Sequence, residues 1–404
     1  MHTKNLRSFF LYAGLIAIAT YLFTVHKYAY NMPVGDDYDA VLGFLNRYVQ
    51  SGSQEKIWFF FSQHNEHRIL LTHLISVIDL NLFNEINFLH LIWLGNLGWF
   101  LSIAAFWHFS SREGISSLEF IPAGIMLLSF SHYEMMTWAM TSIQQYYQVF
   151  FGVLAMGYMT KNRFAPSMLF YILAIFTSGG GMSLVPLANL YYLLHKKWRE
   201  LGICIAITLI ALMTYFVLLP YTSPTSSKIL QTLMQPQIFI AYAIGFIGGA
   251  FNIHELGYAS FLVGGLCLIL LFSARAKIAY KKYPFLFWIC IYVIITAILA
   301  ALNRSNEGIQ SSGDSRYSEY SLLFLSSTYL MYVATAQNHK QRVGITLAVF
   351  AISLAIFSFW HLRSIPPLVD RHYWLTNGIK THPNWDHAIS IKNESARLGV
   401  FQHD

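Results

Sequence analysis

Charged side chains are scarce in this 404-residue chain: they make up 11% of it, while hydrophobic residues make up 55% and aromatic residues 17%. A soluble globular domain carries roughly 25% charged residues, so this composition cannot cover an ordinary water-facing surface. The shortage also excludes a disordered chain, a coiled coil and a basic nucleic-acid-binding protein. The formal net charge of +7 is then best explained by the cytoplasmic loops of an integral membrane protein.

Cysteine is rare, and the common catalytic motifs are missing. Cys204, Cys267 and Cys290 lie inside apolar runs, which argues against a disulfide framework or a thiolate metal site. The sequence contains no glycine-rich phosphate loop of the Walker or dinucleotide type, no HExxH and no GxSxG. These absences argue against an ATP-driven pump and against the common membrane hydrolases.

The apolar runs predict an all-α, polytopic membrane protein with about eleven transmembrane helices. A helix rises about 1.5 Å per residue and the hydrocarbon core is about 30 Å thick, so one crossing needs about 20 mostly apolar residues. The expected spans are 8–25, 88–108, 119–131, 143–160, 165–177, 182–195, 201–219, 258–273, 284–302, 321–337 and 343–360. The short ones survive only where the bilayer thins or other helices shield their ends. Segment 238–251 is expected to be a re-entrant or interfacial helix.

The distribution of charge predicts a cytoplasmic N-terminus and a periplasmic C-terminus. In this orientation the short inside loops hold 14 of the 26 Lys and Arg residues and three of the 19 Asp and Glu residues. This bias follows the positive-inside rule. The outside face then carries the long loop 26–87. We expect one transmembrane domain over 1–360, which includes that loop, followed by a periplasmic tail over 361–404.

Three carboxylates stand close together at the start of the long outside loop. Asp36, Asp37 and Asp39 fall within four residues, just beyond the first span. Like charges at this spacing raise the pKa of at least one carboxyl group unless a cation is near. The cluster could supply a general base or ligands for a hard cation. It could equally cap the helix expected to start near Tyr38.

The same loop continues into six consecutive polar residues, 63–68, which interrupt a strongly apolar stretch. His64, Glu66, His67 and Arg68 are the members of this stretch that can bind substrate or take part in catalysis. Such a cluster costs free energy at membrane depth unless its members are paired or hydrated. A structural network is the competing interpretation. The two histidines also have a spacing that suits zinc, although no third ligand is fixed.

A third polar cluster lies between the spans that end near 302 and begin near 321. Arg304 ends one span, and Arg316 and Tyr317 precede the next, so all three should lie at the outer interface. Guanidinium groups match phosphate oxygens in a two-pronged geometry and stay charged there. Snorkelling of the arginines to lipid headgroups is the alternative.

Several weaker candidates occupy other outside turns. They are His132, Tyr133, Glu134, Trp138, Gln144, Gln145, His254 and Glu255. Segment 178–181 (SGGG) interrupts a long apolar stretch, and its glycines predict a tight turn or a close backbone approach.

The polar clusters on one side, combined with many spans and minimal cytoplasmic loops, resemble the GT-C class of integral-membrane glycosyltransferases. The resemblance is carried by the acidic motif Gly35–Asp36–Asp37, the loop helix after it, and the stretches 65–68, 178–181 and 315–317. Size, basic character and an outside tail are similar to the phage-type serotype-converting O-antigen glucosyltransferases. The resemblance covers most of the chain in topology and about thirty residues in motif.

This resemblance implies an inverting hexosyltransferase in a bacterial inner membrane, with its active site facing the periplasm. The donor would be a polyprenyl-phosphate-linked hexose, with glucose expected, and the acceptor a lipopolysaccharide O-antigen or a similar surface polysaccharide. Asp37 or Asp36 would be the catalytic base. Arg316 and Arg304, with Arg68 third, would neutralise the leaving phosphate.

The remaining outside-loop candidates would bind substrate. Asp39, His64, Glu66, His67 and Tyr317 are expected to contact the sugars or to orient the base, and apolar segment 238–251 to hold the lipid chain. No cofactor is required, although a divalent cation at Asp36 and Asp37 stays open. All three polar clusters should therefore converge on one cavity.

Three other functions remain open at this point. A lipid-linked saccharide flippase would need ionisable residues along a path near the bilayer midplane. A non-catalytic assembly partner would use the outside clusters as a protein interface. An O-antigen polymerase would use periplasmic arginines but is expected to have a larger late periplasmic loop than 303–320.

Overall fold

The computed structural model describes residues 3–222, 232, 234–253 and 258–402. About 80% of the chain is helical, with almost no strand, so the predicted all-α class is confirmed. Candidates His254 and Glu255 lie outside the described residues.

Within the described residues, five helices are long and apolar enough to cross a bilayer. Their crossing segments are Arg7–Tyr28, Phe88–Ser111, Trp198–Leu218, Pro284–Glu307 and His339–Thr376. A sixth crossing arises if Ala259–Leu271 and Arg275–Lys282, which are bent by 67° at a short break, count as one span. Membrane insertion is therefore supported by length and composition.

The helices are numbered in chain order. They are α1 Thr3–Tyr28, α2 Phe44–Gln50, α3 Lys56–Phe59, α4 Leu70–Phe83, α5 Phe88–Ser111, α6 Ser117–Leu127, α7 Tyr133–Met136, α8 Ala139–Thr160, α9 Phe164–Thr177, α10 Leu184–Leu194, α11 Trp198–Met213, α12 Pro236–Ile247, α13 Ala259–Leu271, α14 Ala274–Lys282, α15 Pro284–Arg304, α16 Ser318–Ala334, α17 His339–Thr376 and α18 Trp385–Arg397. Short π-helical segments, Tyr38–Gly43 and Thr214–Leu218, precede α2 and extend α11.

A helix lies at each of the eleven predicted spans, but several are too short to cross alone. Helices α6 and α10 have 11 residues and α9 has 14. At about 1.5 Å per residue these helices are about 16–21 Å long, well under a hydrocarbon thickness of about 30 Å. Segment 238–251 forms the 12-residue α12 and a following 3-10 turn.

The centre of the bundle is built on α5 and α8, whose polar side chains are paired with one another. Trp99 on α5 stacks on Tyr146 of α8 with ring centroids 5.2 Å apart. The Ser102 hydroxyl donates to the Tyr146 carbonyl oxygen over 3.1 Å. His132, a weaker candidate, is fully buried, and its Nδ1 lies 2.7 Å from the Tyr146 hydroxyl. His132 therefore belongs to the core.

Loop 26–87 folds into a short helical layer and a hairpin. A helical run begins at Tyr38 as predicted and continues through α2. Strands β1 Gln63–His64 and β2 His67–Arg68 pair antiparallel. Asn65, at φ +48°, makes the left-handed turn between them, and Asn is among the residues that tolerate this conformation.

The C-terminal tail is continuous with the last long helix. The predicted boundary at 360 lies inside α17, which runs to Thr376 even though Pro366 and Pro367 lie within it. Helix α18 then packs on α2: the Asn46 amide donates to the Ile391 carbonyl over 3.1 Å, and the Ser395 hydroxyl donates to the Asn46 side-chain oxygen over 2.9 Å. The C-terminal segment therefore covers part of loop 26–87.

Candidate functional site

A cavity of about 560 Å³ opens where the polar clusters meet. Its walls come from the start of loop 26–87, the hairpin, the start of α8, the turn after α9, the end of the α11 helical run, α12, and the end of α15 with the loop that follows. The predicted site residues in its lining are Asp36, His64, Glu66, His67, Arg304, Arg316 and Tyr317. Of the weaker candidates, Trp138, Gln144 and Gln145 also line it. Residues that are up to 281 positions apart thus share one space.

Asp36 supplies the carboxylate of this cavity. Its side chain is 46% exposed, and its Oδ2 lies 3.8 Å from Nε2 of His64. The neighbouring His64 imidazole holds the pKa of Asp36 below its usual value, against the opposing effect of partial burial, and the Arg316 charge acts in the same direction. Asp36 is therefore ionised at neutral pH and accessible to a ligand.

Asp37 has a different environment and does not line the cavity. Its side chain is 1% exposed. One carboxylate oxygen accepts from the Val34 amide over 3.0 Å and the other from the Met140 amide over 2.8 Å. Burial raises its pKa to about 7, although these two hydrogen bonds act in the opposite direction. Asp37 therefore fastens the loop to the first turn of α8, where free amides need acceptors.

These contacts bear on both roles expected for Asp37, as a helix cap and as a catalytic base. It does not cap the helix that starts near Tyr38, because it makes no side-chain hydrogen bond there. Its two oxygens are already hydrogen-bonded, so the geometry favours Asp36 over Asp37 as a group that meets substrate. The partner amide at Met140 lies 103 residues away, and no local pattern in the sequence reveals it.

Glu66 and Arg304 form the ion pair of the cavity. Nη2 of Arg304 donates to Oε1 of Glu66 over 2.8 Å, and Nη1 lies 3.6 Å from Oε2 of Glu307. Burial opposes ionisation of Glu66, but the nearby positive charge of Arg304 helps to lower its pKa below the usual value. The Arg304 guanidinium is thus held in place by carboxylates on two sides.

His67 is packed beside this ion pair and is neutral. Burial lowers the pKa of its imidazole to about 4. Gly179 lies so close that a Cβ atom there would be 2.2 Å from Nδ1 of His67. The predicted close approach at the SGGG segment is therefore present, and Gly179 and Gly180 both line the cavity.

Arg316 is the second cation of the cavity. Its Nη2 donates to Oδ2 of Asp314 over 3.1 Å, and its guanidinium lies 5.2 Å from the centre of the Tyr317 ring. One third of the side chain remains exposed. Five N–H donors on the guanidinium leave it able to bind a ligand oxygen while it keeps Asp314.

Arg68 does not reach the cavity, contrary to its expected role beside the leaving phosphate. It is 1% exposed and donates to the carbonyl oxygens of Tyr215, Leu219 and Pro220 at 2.5–3.2 Å, and to that of Phe61 at 2.5 Å. Carbonyl groups at the end of a helix lack partners in the helix. Arg68 supplies these partners where the helical run of α11 ends.

Asp39 lies in a second, smaller cavity of about 420 Å³, which we call the tail cavity. It is lined by Asp36, Asp39, Ala40, Arg47, Gln63, His64, Asn65, His73 and His382. Asp36, His64 and Asn65 line both cavities and so separate them. Sequence reasoning did not single out Arg47, His73 or His382, because their neighbours in the cavity come from distant segments.

Other lining residues of the large cavity were also missed, although a signal existed. Thr296 and Ala300 line it together with Arg304, and these positions are four residues apart on α15. A helix repeats every 3.6 residues, so the face that carries Arg304 could have been extended backwards to find them.

A divalent cation at Asp36 and Asp37 would have to share the carboxylate of Asp37 with the backbone. Each oxygen of Asp37 already accepts one backbone N–H group, which leaves fewer lone pairs for a cation. Among the residues that the structure describes, no group of three or more His, Cys, Asp and Glu side chains could hold a metal ion.

Comparison with family models, curated proteins and solved structures gave no match for the chain.

Proposed function

We propose that this chain is an inverting, integral-membrane glycosyltransferase of the GT-C type. It transfers a hexose, with glucose the first to test, from a polyprenyl-phosphate-linked donor to a lipopolysaccharide O-antigen or a similar surface glycan at the periplasmic face of a bacterial inner membrane. The observation that carries the proposal is the large cavity, in which an ionised Asp36 meets two guanidinium groups, Arg304 and Arg316.

The reaction is a single displacement. An acceptor hydroxyl oxygen attacks the anomeric carbon of the donor while its proton passes to the Asp36 carboxylate. The new glycosidic C–O bond forms as the bond from the anomeric carbon to the phosphate oxygen breaks, with inversion. A general base must be ionised and within reach of the hydroxyl proton. The lowered pKa of Asp36 keeps its carboxyl group ionised at neutral pH.

The leaving group is a polyprenyl phosphate, whose charge grows from one to two negative charges as the bond breaks. Preorganised cations stabilise charge that develops in the transition state. Arg304 and Arg316 both line the cavity, and each is positioned by a carboxylate, Glu66 or Asp314. We assign them to the phosphate, and Glu66, His64 and His67 to the orientation of sugar hydroxyls and of the base.

The lipid part of the donor requires apolar surface beside the phosphate site. The large cavity offers it, because Met140, Met182, Phe216, Phe246 and Leu299 share its lining with the charged residues. Phe246 belongs to α12, in the segment expected to hold the polyprenyl chain. The Lys and Arg residues in the short loops support a cytoplasmic N-terminus and a periplasmic C-terminus as part of the same proposal. About eleven crossings would further require that neighbouring helices or a thinner bilayer accommodate the short helices α6, α9 and α10.

The test is transfer by the purified full-length protein in nanodiscs, supplied with polyprenyl-phosphate-glucose and O-antigen. A lengthened glycan and free polyprenyl phosphate are expected. Asp36→Asn should lower the rate about 10²–10⁴-fold, the usual contribution of a general base. Asp386→Asn, an exposed carboxylate on α18 that lines neither cavity, is the matched control. Transfer by Asp36→Asn at the wild-type rate would remove Asp36 as base.

One observation favours a second candidate, a lipid-linked saccharide transporter. Glu319, at the start of α16, is fully buried, and neither carboxylate oxygen has a hydrogen-bond partner in another described residue. Buried ionisable groups within a membrane bundle mark transport pathways, and the sequence had suggested few of them. Movement of labelled lipid across vesicles without formation of a glycosidic bond would favour this function over transfer.

A further inference from the structure

We infer that the tail cavity is the binding site for the acceptor glycan, and that the C-terminal tail forms part of it. The inference rests on the proposed function, since it names the acceptor side of the same reaction. It concerns a second cavity, which shares Asp36, His64 and Asn65 with the large cavity and whose other lining residues are different.

The lining excludes the lipid donor and favours a polyhydroxylated ligand. Eight of the nine lining residues carry polar side chains, and Ala40 is the exception. A polyprenyl chain would find no apolar wall here, whereas the large cavity has one. Pockets of about 300–1,000 Å³ hold small ligands, so about 420 Å³ can accept a sugar unit.

The charges of the tail-cavity lining also favour a neutral sugar over a phosphate as the ligand. Arg47 is the only arginine or lysine in the lining, and it faces the carboxylates Asp36 and Asp39 across the same cavity. A phosphate would meet more negative than positive charge. Hydroxyl groups, by contrast, both donate to carboxylates and accept from a guanidinium.

Two side chains in this cavity have unused hydrogen-bonding capacity. The Arg47 guanidinium makes no hydrogen bond with the residues that the structure describes, although it is exposed beside the cavity. His73 is 1% exposed and stacks on Phe44 with ring centroids 3.9 Å apart. Its Nδ1 lies 3.0 Å from the Phe60 carbonyl oxygen, so this nitrogen must carry the proton. Nε2 is then an acceptor without a partner in the described chain.

The tail closes the cavity through a defined set of contacts. His382, in the segment between α17 and α18, lines it and lies 3.4 Å from Oδ2 of Asp39. His387 on α18 lies 2.8 Å from the other oxygen of Asp39. The Gly35 amide donates to the Thr381 carbonyl over 3.1 Å. The tail is therefore fixed beside the acidic motif, and its His382 lines the same cavity as Arg47.

The residues that line both cavities connect binding of the acceptor with the proposed catalytic base. Asp36 and His64 line both spaces. A glycan bound in the tail cavity can therefore extend past Asp36, so that one of its hydroxyl groups reaches the large cavity. There its oxygen contacts both the Asp36 carboxylate and the anomeric carbon of the donor, as a single displacement requires, without passing through the site that holds the lipid phosphate.

The experiment measures binding and chemistry separately. Full-length protein in detergent, fluorescently labelled, is applied to a microarray of bacterial O-antigen polysaccharides, and affinity is measured for the glycan that binds most strongly. Loss of one hydrogen bond to a charged group should weaken binding about tenfold. Arg47→Gln and His382→Gln should each show this loss. Arg397→Gln, 73% exposed on α18, and His108→Gln, exposed on α5, are the controls and should bind as wild type does.

Donor chemistry provides the second readout. In transfer from polyprenyl-phosphate-glucose, Arg47→Gln and His382→Gln should raise the KM for the glycan about tenfold and leave the KM for the donor unchanged, because neither residue lines the large cavity. No glycan binding by the wild type, or binding that is unaffected by both variants, would overturn the inference. Glycan binding that depends on Arg47 and His382, without any donor cleavage by the wild type, would instead refute the proposed transfer reaction and leave the glycan site in place.

Discussion

Asp37 makes a sharp prediction about stability and pH. In Asp37→Asn, an NH₂ group replaces one of the two oxygens that accept the Val34 and Met140 amides. One buried backbone N–H then lacks a good acceptor, which costs about 1–3 kcal/mol. At pH 4, where the buried Asp37 is itself neutral, the variant should therefore unfold more easily than the wild type by about this amount.

The difference between the two proteins should change with pH. Burial raises the pKa of Asp37 from 3.8 to about 7, so between these values the folded protein keeps a proton that the unfolded chain has lost. The stabilising contribution is complete below about pH 4 and is lost as pH rises to about 7. At 1.36 kcal/mol per pH unit, the loss is about 4 kcal/mol. Asp37→Asn lacks this titration and should match or exceed wild-type stability near neutral pH.

The assay is equilibrium unfolding in mixed detergent micelles from pH 4 to pH 8, followed by tryptophan fluorescence. Asp386→Asn, at an exposed site on α18, is the control and should follow the wild type. A difference between Asp37→Asn and wild type that is constant with pH would refute the reasoning. A difference that grows as pH rises would show that the two amide donors outweigh burial and keep Asp37 ionised.

Two further substitutions test the packing around the site. Arg68→Lys should lower the free energy of unfolding by about 2–4 kcal/mol, because one ammonium group cannot replace a guanidinium that donates to several buried carbonyl groups. The control is the exposed Arg397→Lys, and equal unfolding midpoints for the two variants would contradict the role assigned to Arg68. Gly179→Ala should reduce transfer activity at least tenfold, because the added Cβ atom would displace His67. The control is Gly202→Ala, whose Cβ atom would meet open space and which should transfer at the wild-type rate. Equal activity of the two variants would show that His67 can move freely.

The helical architecture could be predicted because it depends on apolar length and on turn residues close together in sequence. Each predicted span coincides with a helix, and the helical run after the acidic motif begins at Tyr38. The end of α17 was missed because hydropathy falls near 360 while the backbone stays helical to Thr376. Hydrogen bonding within a helix continues across such a change in composition, so hydropathy marks the membrane boundary better than the helix boundary.

The polar clusters could also be predicted, but the roles within each cluster could not. Asp36 and Asp37 are adjacent and chemically identical, yet one faces a cavity and the other binds the amide of Met140. Glu66 pairs with Arg304, while Arg68, two residues on, is buried against the end of α11. A sequence shows which groups need partners. Which partner each one finds depends on contacts between segments that are more than a hundred residues apart.

Asp36, His64 and Asn65, which line both the large cavity and the tail cavity, limit how the sequence can evolve. A substitution at one of these three residues alters both cavities at once, so it must remain compatible with the ligands of both. Residues that belong to one compartment only, such as Arg47 and His382 on one side and Arg316 on the other, escape this double constraint. Under the proposed function, preference for the acceptor glycan can therefore change through residues of the tail cavity alone, while binding of the lipid-linked donor stays intact.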